Sequence, residues 1–548
     1  MDKNIRCSYF CMEYAISSSL KTYAGGLGIL AGDYLKGAVR DKFPVTGIGI
    51  KWKQGYGEQY IGNTRPFDAY KQNDYTGKLE DTGEEVEVTI RRRRVKLKIW
   101  KYNADGINNL YLLDTDVDGN SGDDRWICGQ LYGWFEEERL AQEIVLGVGG
   151  IRALEKLGIK TDVYHFNEGH AVFAGLELLS KQVCSGVPFE EAVLKTKEKI
   201  VFTTHTPVKE GNESHSFDAM QYMGADCGFT RTQLKSIGGN PFNMTVAALR
   251  LSRKTNGVAQ LHAATANKMW EKVEGRSEII GITNAVYAPV WTDPQMAALA
   301  KGADLLGEGA EKKRGELFLR HMENKRVLID FVKERTGVKL RENVMLIGFS
   351  RRAAPYKRSN LIFRDEKFIK ELFKKDKIQI LFAGKSHPLD DNGKNIVEDI
   401  VKMAKEYPDN VVFLENYDME IGAIFTRGCD VWLNNPVRPL EASGTSGMKA
   451  AMNGVLNLSV LDGWWPEACE DGKNGWQFGD GTEFKSWKKS DIHDYRELKK
   501  SLVTRVIPMY YGELDSWRIM MANSINDTIE KYEVARMLRE YYEKLYAL

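Results

Sequence analysis

The chain has 548 residues and a formal net charge of +1, from 77 Lys and Arg against 76 Asp and Glu. So balanced a chain recruits neither nucleic acid nor an anionic membrane through its global field, and any anion has to be held by a local cluster. A hydrophobic share of 43% beside 28% charged residues suits a globular protein with large cores, and this length allows roughly two to four domains. The seven cysteines, odd in number and without zinc-ligand spacing, read as reduced thiols.

The N-terminus, MDKNIRCSYFCMEYA, has no apolar run followed by a small-residue cleavage site, and nowhere do about 18 apolar residues run together. The expectation is a cytoplasmic protein without a membrane span. Short β-branched runs then alternate with helical patterns. Strands are expected at 163–168, 200–206, 278–284, 344–350, 378–384, 411–416, 431–434 and 455–460, with helices such as 171–181 and 395–407 between them. Such alternation implies an α/β protein with parallel sheets and right-handed crossovers.

Two doubly wound domains are the economical reading, divided just after Asn284, near Pro289 and Pro294. We expect a first domain over 1–290, a second over 291–515, and a C-terminal helix over 516–548 packing back on the first. The run Arg91 to Arg94 imitates a nucleic-acid patch. However, Val95, Leu97 and Ile99 alternate with Lys96 and Lys98, which predicts a half-buried strand with a solvated face.

Open parallel sheets bind ligands beyond the carboxyl ends of their strands, and three segments stand at such places. In the first, Ala24 to Asp33, Gly25, Gly26 and Gly28 would let backbone approach a phosphate at a helix N-terminus. The spacing Gly26-x-Gly28-x-x-Ala31 fits a dinucleotide fingerprint, yet the next strand ends in Ile50-Lys51-Trp52, without the acid that fingerprint expects. A bare tight turn remains the alternative. In the second, Arg351, Arg352, Lys357 and Arg358 follow the strand 344–350 and could hold a dianion; an exposed basic helix start is the plain alternative. In the third, Glu441-Ala442-Ser443-Gly444-Thr445-Ser446-Gly447-Met448-Lys449, small residues open a helix with Lys449 one turn in. A partly buried lysine loses proton affinity and can become a Schiff-base nucleophile. A salt-bridged lysine fits the same residues.

Glu-Ala-Ser-Gly-Thr-x-x-Met-Lys resembles the pyridoxal-phosphate lysine motif of the glycogen and maltodextrin phosphorylases. With Leu433-Asn434-Asn435-Pro436 before it and 455–465 after it, the chain resembles short α-glucan phosphorylases from Tyr9 to about Trp476. The resemblance implies a GT-B fold, two Rossmann-like domains with the active site in the cleft between them. It implies α-1,4-glucan phosphorolysis by orthophosphate to α-glucose 1-phosphate, with retention. Lys449 would carry pyridoxal 5'-phosphate, cradled by Gly26, Thr445 and Ser446, with Tyr417 lining the pocket. Arg352 and Lys357 would bind the substrate phosphate. Glu441, Ser443 and Gly444 would hold the glucose 3- and 4-hydroxyls, and Asn284 and His205 its 6-hydroxyl. The His205 main chain would face the developing cation, and Leu27 and His170 would stand near the sugar.

Family members usually carry Gly or Asn where this chain has Ser446 and Gly447, and often Gly and His at Ala285 and Tyr287; the second pair bears on how the glucan is gripped. The resemblance implies a homodimer; the residues themselves suggest no metal site. The eight histidines form no H-E-x-x-H pattern, and none of Glu168, Glu441 and Asp462 sits in the carboxylate pair that a retaining hydrolase needs. The rival on the same fold is a nucleotide-sugar-dependent glucan synthase, which leaves Lys449 unexplained. A glucan-binding scaffold and a dinucleotide oxidoreductase are weaker rivals.

Overall fold

The structure is a computed structural model that describes residues 2–208 and 211–547. Two compact units emerge. The first gathers Met1–Gly57, Tyr70–Thr283 and Met537–Leu548; the second gathers Glu58–Ala69 and Asn284–Arg536.

The first unit is built on a nine-stranded sheet. From one edge its order is Ile279–Gly281, Lys254–Gly257, Ile200–Thr204, Val163–Asn167, Cys7–Phe10, Val45–Ile50, Ile107–Asp114, Arg93–Ala104 and Leu79–Ile90. Neighbours are parallel up to Ile107–Asp114, and the last two pairings are antiparallel. Cys7–Phe10 and Ile200–Thr204 are buried along their whole length, as parallel strands covered on both faces must be. The antiparallel edge instead has one wet face. Val95, Leu97 and Ile99 are buried while Lys96 and Lys98 stand opposite Glu87 and Glu85; of the arginine run, Arg91 and Arg92 form the tight turn, both with positive φ, and Arg93 and Arg94 open this half-solvated strand.

The second unit holds a six-stranded sheet, parallel throughout. Its order is Val411–Leu414, Ile378–Ala383, Met345–Ser350, Val431–Asn434, Leu456–Ser459 and Gly475–Gln477. Counted along the chain the order is 3-2-1-4-5-6, so its direction reverses between Met345–Ser350 and Val431–Asn434. Such a reversal leaves a crevice beyond the strand ends. A hairpin from the N-terminal half of the chain, Glu58–Gly62 with Arg65–Ala69, is latched to this unit. Gln59 Nε2 donates to the Ser386 carbonyl at 3.3 Å, and Arg65 bonds Asn395 and Asp391 at 2.9 Å.

The expected strand ends are trimmed where the backbone must turn toward a ligand. The strand expected over 163–168 stops at Asn167 because Glu168 has φ +74. The one expected over 200–206 stops at Thr204 because the His205 N–H turns to the Glu168 carboxylate. That expected over 278–284 shrinks to Ile279–Gly281. The segment 516–548 is several pieces. Leu514–Thr528 places Met520 and Met521 in the second unit's core, and the chain from Met537 clusters with the first unit. The seven cysteines are free thiols. Among the described residues no helix is long and apolar enough to cross a membrane.

Candidate active site

In the second unit the loops leaving both switch-point strands meet. The loop after Ser350 is irregular and closes in a 3-10 turn, Pro355–Lys357; it is not a basic helix start. The loop after Asn434 runs to Gly444, whose φ of +86 caps the helix Thr445–Met452. Between them sits one carboxylate. Glu441 Oε2 accepts from Arg351 Nη2 at 2.6 Å and from Lys357 Nζ at 2.9 Å, and all three side chains are buried or nearly so. Burial alone would raise the Glu441 pKa, but Arg351 and Lys357 outweigh it and hold the carboxyl below its usual 4.5.

The Glu441 loop is itself braced. The Asp462 carboxylate accepts from the Glu441 N–H at 2.9 Å and the Gly463 N–H at 2.8 Å. Gly463 has φ +60, and a Cβ there would lie 2.2 Å from the Ser443 carbonyl, so only glycine makes this close approach. Asp462 is wholly buried, which with the nearby Glu441 charge pushes its pKa up to about 8.

Lys449, one turn into the capped helix, is buried, with Nζ 3.3 Å from the centre of the Trp291 ring. Ser446 Oγ accepts from Trp432 Nε1 at 3.2 Å, and Thr445 and Ser446 are half-buried. Tyr417 is half-buried beside Ser350, and burial raises its phenol pKa. Arg352 is exposed, so of the two adjacent arginines it is Arg351 that turns inward. Arg358, also buried, is spent on structure: it bonds the Asn435 and Pro436 carbonyls and Asp494, each at 2.7 Å. Asn284 is buried at the start of this unit, its Oδ1 without a hydrogen-bond partner among the described residues.

The first unit repeats the logic, since its sheet reverses between Cys7–Phe10 and Val163–Asn167. The loop after Phe10 leads to the helix Gly26–Arg40. Added Cβ atoms at Gly25 and Gly26 would meet nothing within 4 Å, whereas one at Gly32 would lie 2.2 Å from the Ala15 carbonyl. Gly26 and Leu27 therefore lie at an open helix entrance, and Gly32 is a packing glycine. Glu13 Oε2 accepts from the Ala24 N–H at 2.7 Å and the Gly25 N–H at 3.2 Å, tying this loop down.

Beyond Asn167, Glu168 takes three donors: the Gly169 N–H at 3.2 Å, the His205 N–H at 2.8 Å and Thr206 Oγ1 at 3.1 Å. A positive φ on a glutamate is a strained conformation of the kind that clusters at working sites. His205 Nε2 lies 2.6 Å from Asn167 Oδ1. The amide oxygen can only accept, so Nε2 carries the proton. Burial, with His262 and His170 nearby, pushes the His205 pKa down to about 3, and burial with Arg139 does the same to His170. Both rings are neutral near pH 7. Among the described residues Glu143, Glu213 and His215 lie close enough to share a cation, but Arg139 Nη2 is 2.6 Å from Glu213 and already supplies the positive charge there.

Sequence reasoning missed Glu13 and Trp291 as parts of these sites; it named Arg351 among the cations of its loop and Asp462 among the nearby carboxylates, without giving either its partner. For Asp462 a signal existed, an acid shortly after a strand expected over 455–460; for Trp291 there was none.

Cations gathered around one carboxylate at a switch point, beside a lysine on a glycine-capped helix, are the equipment of an enzyme that transfers a group with the help of an anion. Comparison with known sequences gives that class its family. The family model described as Phosphorylase: Carbohydrate phosphorylase matches residues 306–544. The chain is 38% identical to a maltodextrin phosphorylase of Thermococcus litoralis, over 98% of this chain and 70% of that one. It is 35% identical to a glycogen phosphorylase of Aquifex aeolicus, over 98% of this chain and 85% of that one. A glycogen phosphorylase of Mycobacterium tuberculosis is 34% identical, over 98% and 70% respectively. The chain belongs to the carbohydrate phosphorylase family.

Proposed function

We infer that the protein is an α-glucan phosphorylase, a glycosyltransferase of the GT-B kind. It splits the non-reducing end of an α-1,4-glucan with orthophosphate, reversibly and with retention, to give α-D-glucose 1-phosphate. The second unit would bind the cofactor and the first the glucan. The observation that carries this reading is the Glu441 carboxylate held between Arg351 and Lys357, on the loop that caps the Lys449 helix.

Pyridoxal phosphate fits the donors present. Arg351 Nη1 and Ser443 Oγ are buried without hydrogen-bond partners among the described residues, as groups awaiting an anion or hydroxyl would be. Lys449 would anchor it, Gly26, Thr445 and Ser446 would offer main-chain and hydroxyl donors to its phosphate, and Tyr417 would flank it. When bound, this cofactor supplies a second phosphate that supports proton transfer by orthophosphate.

The chain's own residues do the rest. Arg352 and Lys357 would orient orthophosphate, and their charge offsets the repulsion of two neighbouring phosphates, which is severe in a dry site. Glu441, Ser443 and Gly444 would position the glucose 3- and 4-hydroxyls. Asn284, with its unpartnered Oδ1, and His205 would take the 6-hydroxyl. A neutral His205 orients a hydroxyl without adding charge that would repel an oxocarbenium-like transition state. Leu27 and His170 would complete the sugar contacts.

Borohydride reduction after reconstitution with pyridoxal phosphate, followed by peptide mass mapping, tests the reading. A phosphopyridoxyl adduct on Lys449 is expected. Its absence would leave the nucleotide-sugar transferase as the better account.

A further inference from the structure

We propose that Asn167 is a positioning residue that sets specificity through His205: by holding the ring proton on Nε2 it leaves Nδ1 bare, so that this nitrogen takes only a sugar hydroxyl that donates to it. The proposal rests on the reading of His205 as the 6-hydroxyl contact. It adds the direction of that hydrogen bond and the residue that fixes it.

The placement follows from the first unit's sheet. Cys7–Phe10, Val163–Asn167 and Ile200–Thr204 lie side by side and parallel, with Phe10 opposite Phe166 and Asn167 opposite Thr203. Parallel strands bring their carboxyl ends to one edge, and there Cys11, Asn167 and His205 follow one another across the three strands. Asn167 is the middle member and is fully buried. Its Nδ2 donates to Cys11 Sγ at 3.2 Å, and its Oδ1 lies 2.6 Å from His205 Nε2. Burial raises the Cys11 pKa, so the sulfur stays a neutral thiol and receives the amide proton as a weak acceptor. The amide is thus engaged at both ends, with its acceptor oxygen toward the ring.

A neutral imidazole carries one N–H and one lone pair. With Nε2–H given to Asn167, the lone pair is on Nδ1. The other titratable groups around the ring do not undo this. Glu168 spends its carboxylate on the Gly169 and His205 N–H groups and on Thr206 Oγ1, and burial with His262 and His170 nearby holds the His205 pKa at about 3. Nδ1 therefore gains no proton near neutrality. A sugar hydroxyl can donate into it, whereas a fluorine in the same place presents only lone pairs and a methyl group presents neither. A site built around one such bond rejects analogues that lack the donor.

The first test is 15N NMR of histidine-labelled protein, the His205 signals being identified by their loss in His205→Asn. Wild type should show the proton on Nε2 and a bare Nδ1 between about pH 5 and 8. Asn167→Leu, which removes the amide, should show a mixture of tautomers. Asn167→Asp keeps an acceptor for Nε2–H but adds charge, so its ring should titrate at a higher pH than that of wild type. The second test is glucosyl transfer to a maltodextrin from glucose 1-phosphate and from its 6-deoxy and 6-fluoro analogues. Wild type should prefer glucose 1-phosphate by roughly ten- to a hundredfold in kcat/KM and use the 6-fluoro sugar no better than the 6-deoxy one. Asn167→Leu should narrow that preference, and Asn167→Asp at acid pH should use the 6-fluoro sugar better than the 6-deoxy one. A wild-type ring protonated on Nδ1 overturns the proposal, as do variants whose tautomer and analogue ratios match wild type. The expected tautomer in a wild type that uses all three sugars alike overturns the 6-hydroxyl reading of His205, and the specificity claim falls with it. Wild type that transfers from none of the three overturns the phosphorylase reading, while the NMR result still supports or overturns the hold of Asn167 on the ring.

Discussion

Replacing Glu441 by Gln should destabilise the protein without bound anions and make it respond to orthophosphate more than the wild type does. The carboxylate lies 2.6 Å from Arg351 Nη2 and 2.9 Å from Lys357 Nζ, at 11% side-chain exposure. At an effective dielectric constant of 20 each contact is a gross attraction of about 6 kcal/mol, most of which offsets the cost of drying the charges. What the substitution exposes is the other half of that balance, two buried cations without a counter-charge, at roughly 3–5 kcal/mol. Gln keeps one acceptor oxygen, so the lower figure is the better expectation. Because Arg351 and Lys357 hold the Glu441 pKa below 4.5, the stabilisation is complete above that pH and is lost as pH falls through the lower folded value. The assay is thermal denaturation at pH 7 and at acid pH, with and without orthophosphate. E441Q should melt several degrees lower at pH 7, the gap should close only below about pH 4.5, and phosphate should raise the variant's midpoint more. Equal midpoints at pH 7, or equal shifts with phosphate, would refute the reading of Glu441 as the counter-charge that Arg351 and Lys357 require.

Two glycines of the helix Gly26–Arg40 should separate binding from folding. Gly26→Ala meets open space, so it should melt like wild type yet retain less pyridoxal phosphate on dialysis, measured by cofactor absorbance. Gly32→Ala drives a Cβ to within 2.2 Å of the Ala15 carbonyl and should lower stability by roughly 1–3 kcal/mol. With its pKa near 3, His205 is already neutral on the acid side of neutrality. His205→Asn should therefore lower kcat roughly tenfold or more without moving the acid limb of the kcat/KM profile. Asp430, buried against Lys325 Nζ at 2.6 Å and His321 Nε2 at 3.0 Å, fastens a long helix to the second sheet. Asp430→Ala should cost about 3–5 kcal/mol in denaturant unfolding, and a loss under about 1 kcal/mol would count against that role.

Much of the sheet architecture was legible because a parallel strand covered on both faces has to be a short apolar run. Met345–Ser350 and Ile378–Ala383 are buried at every position, and their β-branched content separates them from helix. The hairpin Glu58–Gly62 with Arg65–Ala69 was not legible as part of the second unit. Its membership depends on Gln59 reaching Ser386 and Arg65 reaching Asp391, contacts more than 300 positions distant in sequence. No local period encodes such a pairing. The strand ends were misjudged for a related reason: Glu168 leaves its strand through a positive φ although its N–H still reaches the Thr203 carbonyl, and the His205 N–H is taken by the Glu168 carboxylate.

In the site, the motif around Lys449 was readable because the chemistry demands small residues at a helix entrance, a local requirement. Which arginine faces inward was not. Arg351 and Arg352 sit in a segment with neither the period of a strand nor that of a helix, so alternation cannot choose between them. The choice is made by Glu441 Oε2, 2.6 Å from Arg351, and by a Gly384 whose added Cβ would fall 2.1 Å from the Arg351 carbonyl. That glycine pins the backbone at Arg351 and leaves the next side chain, Arg352, on the exposed side. It follows that Arg351 and Arg352 divide the work that tandem cations suggest. Arg351 is held by the Glu441 carboxylate at 2.6 Å, while Arg352 is exposed.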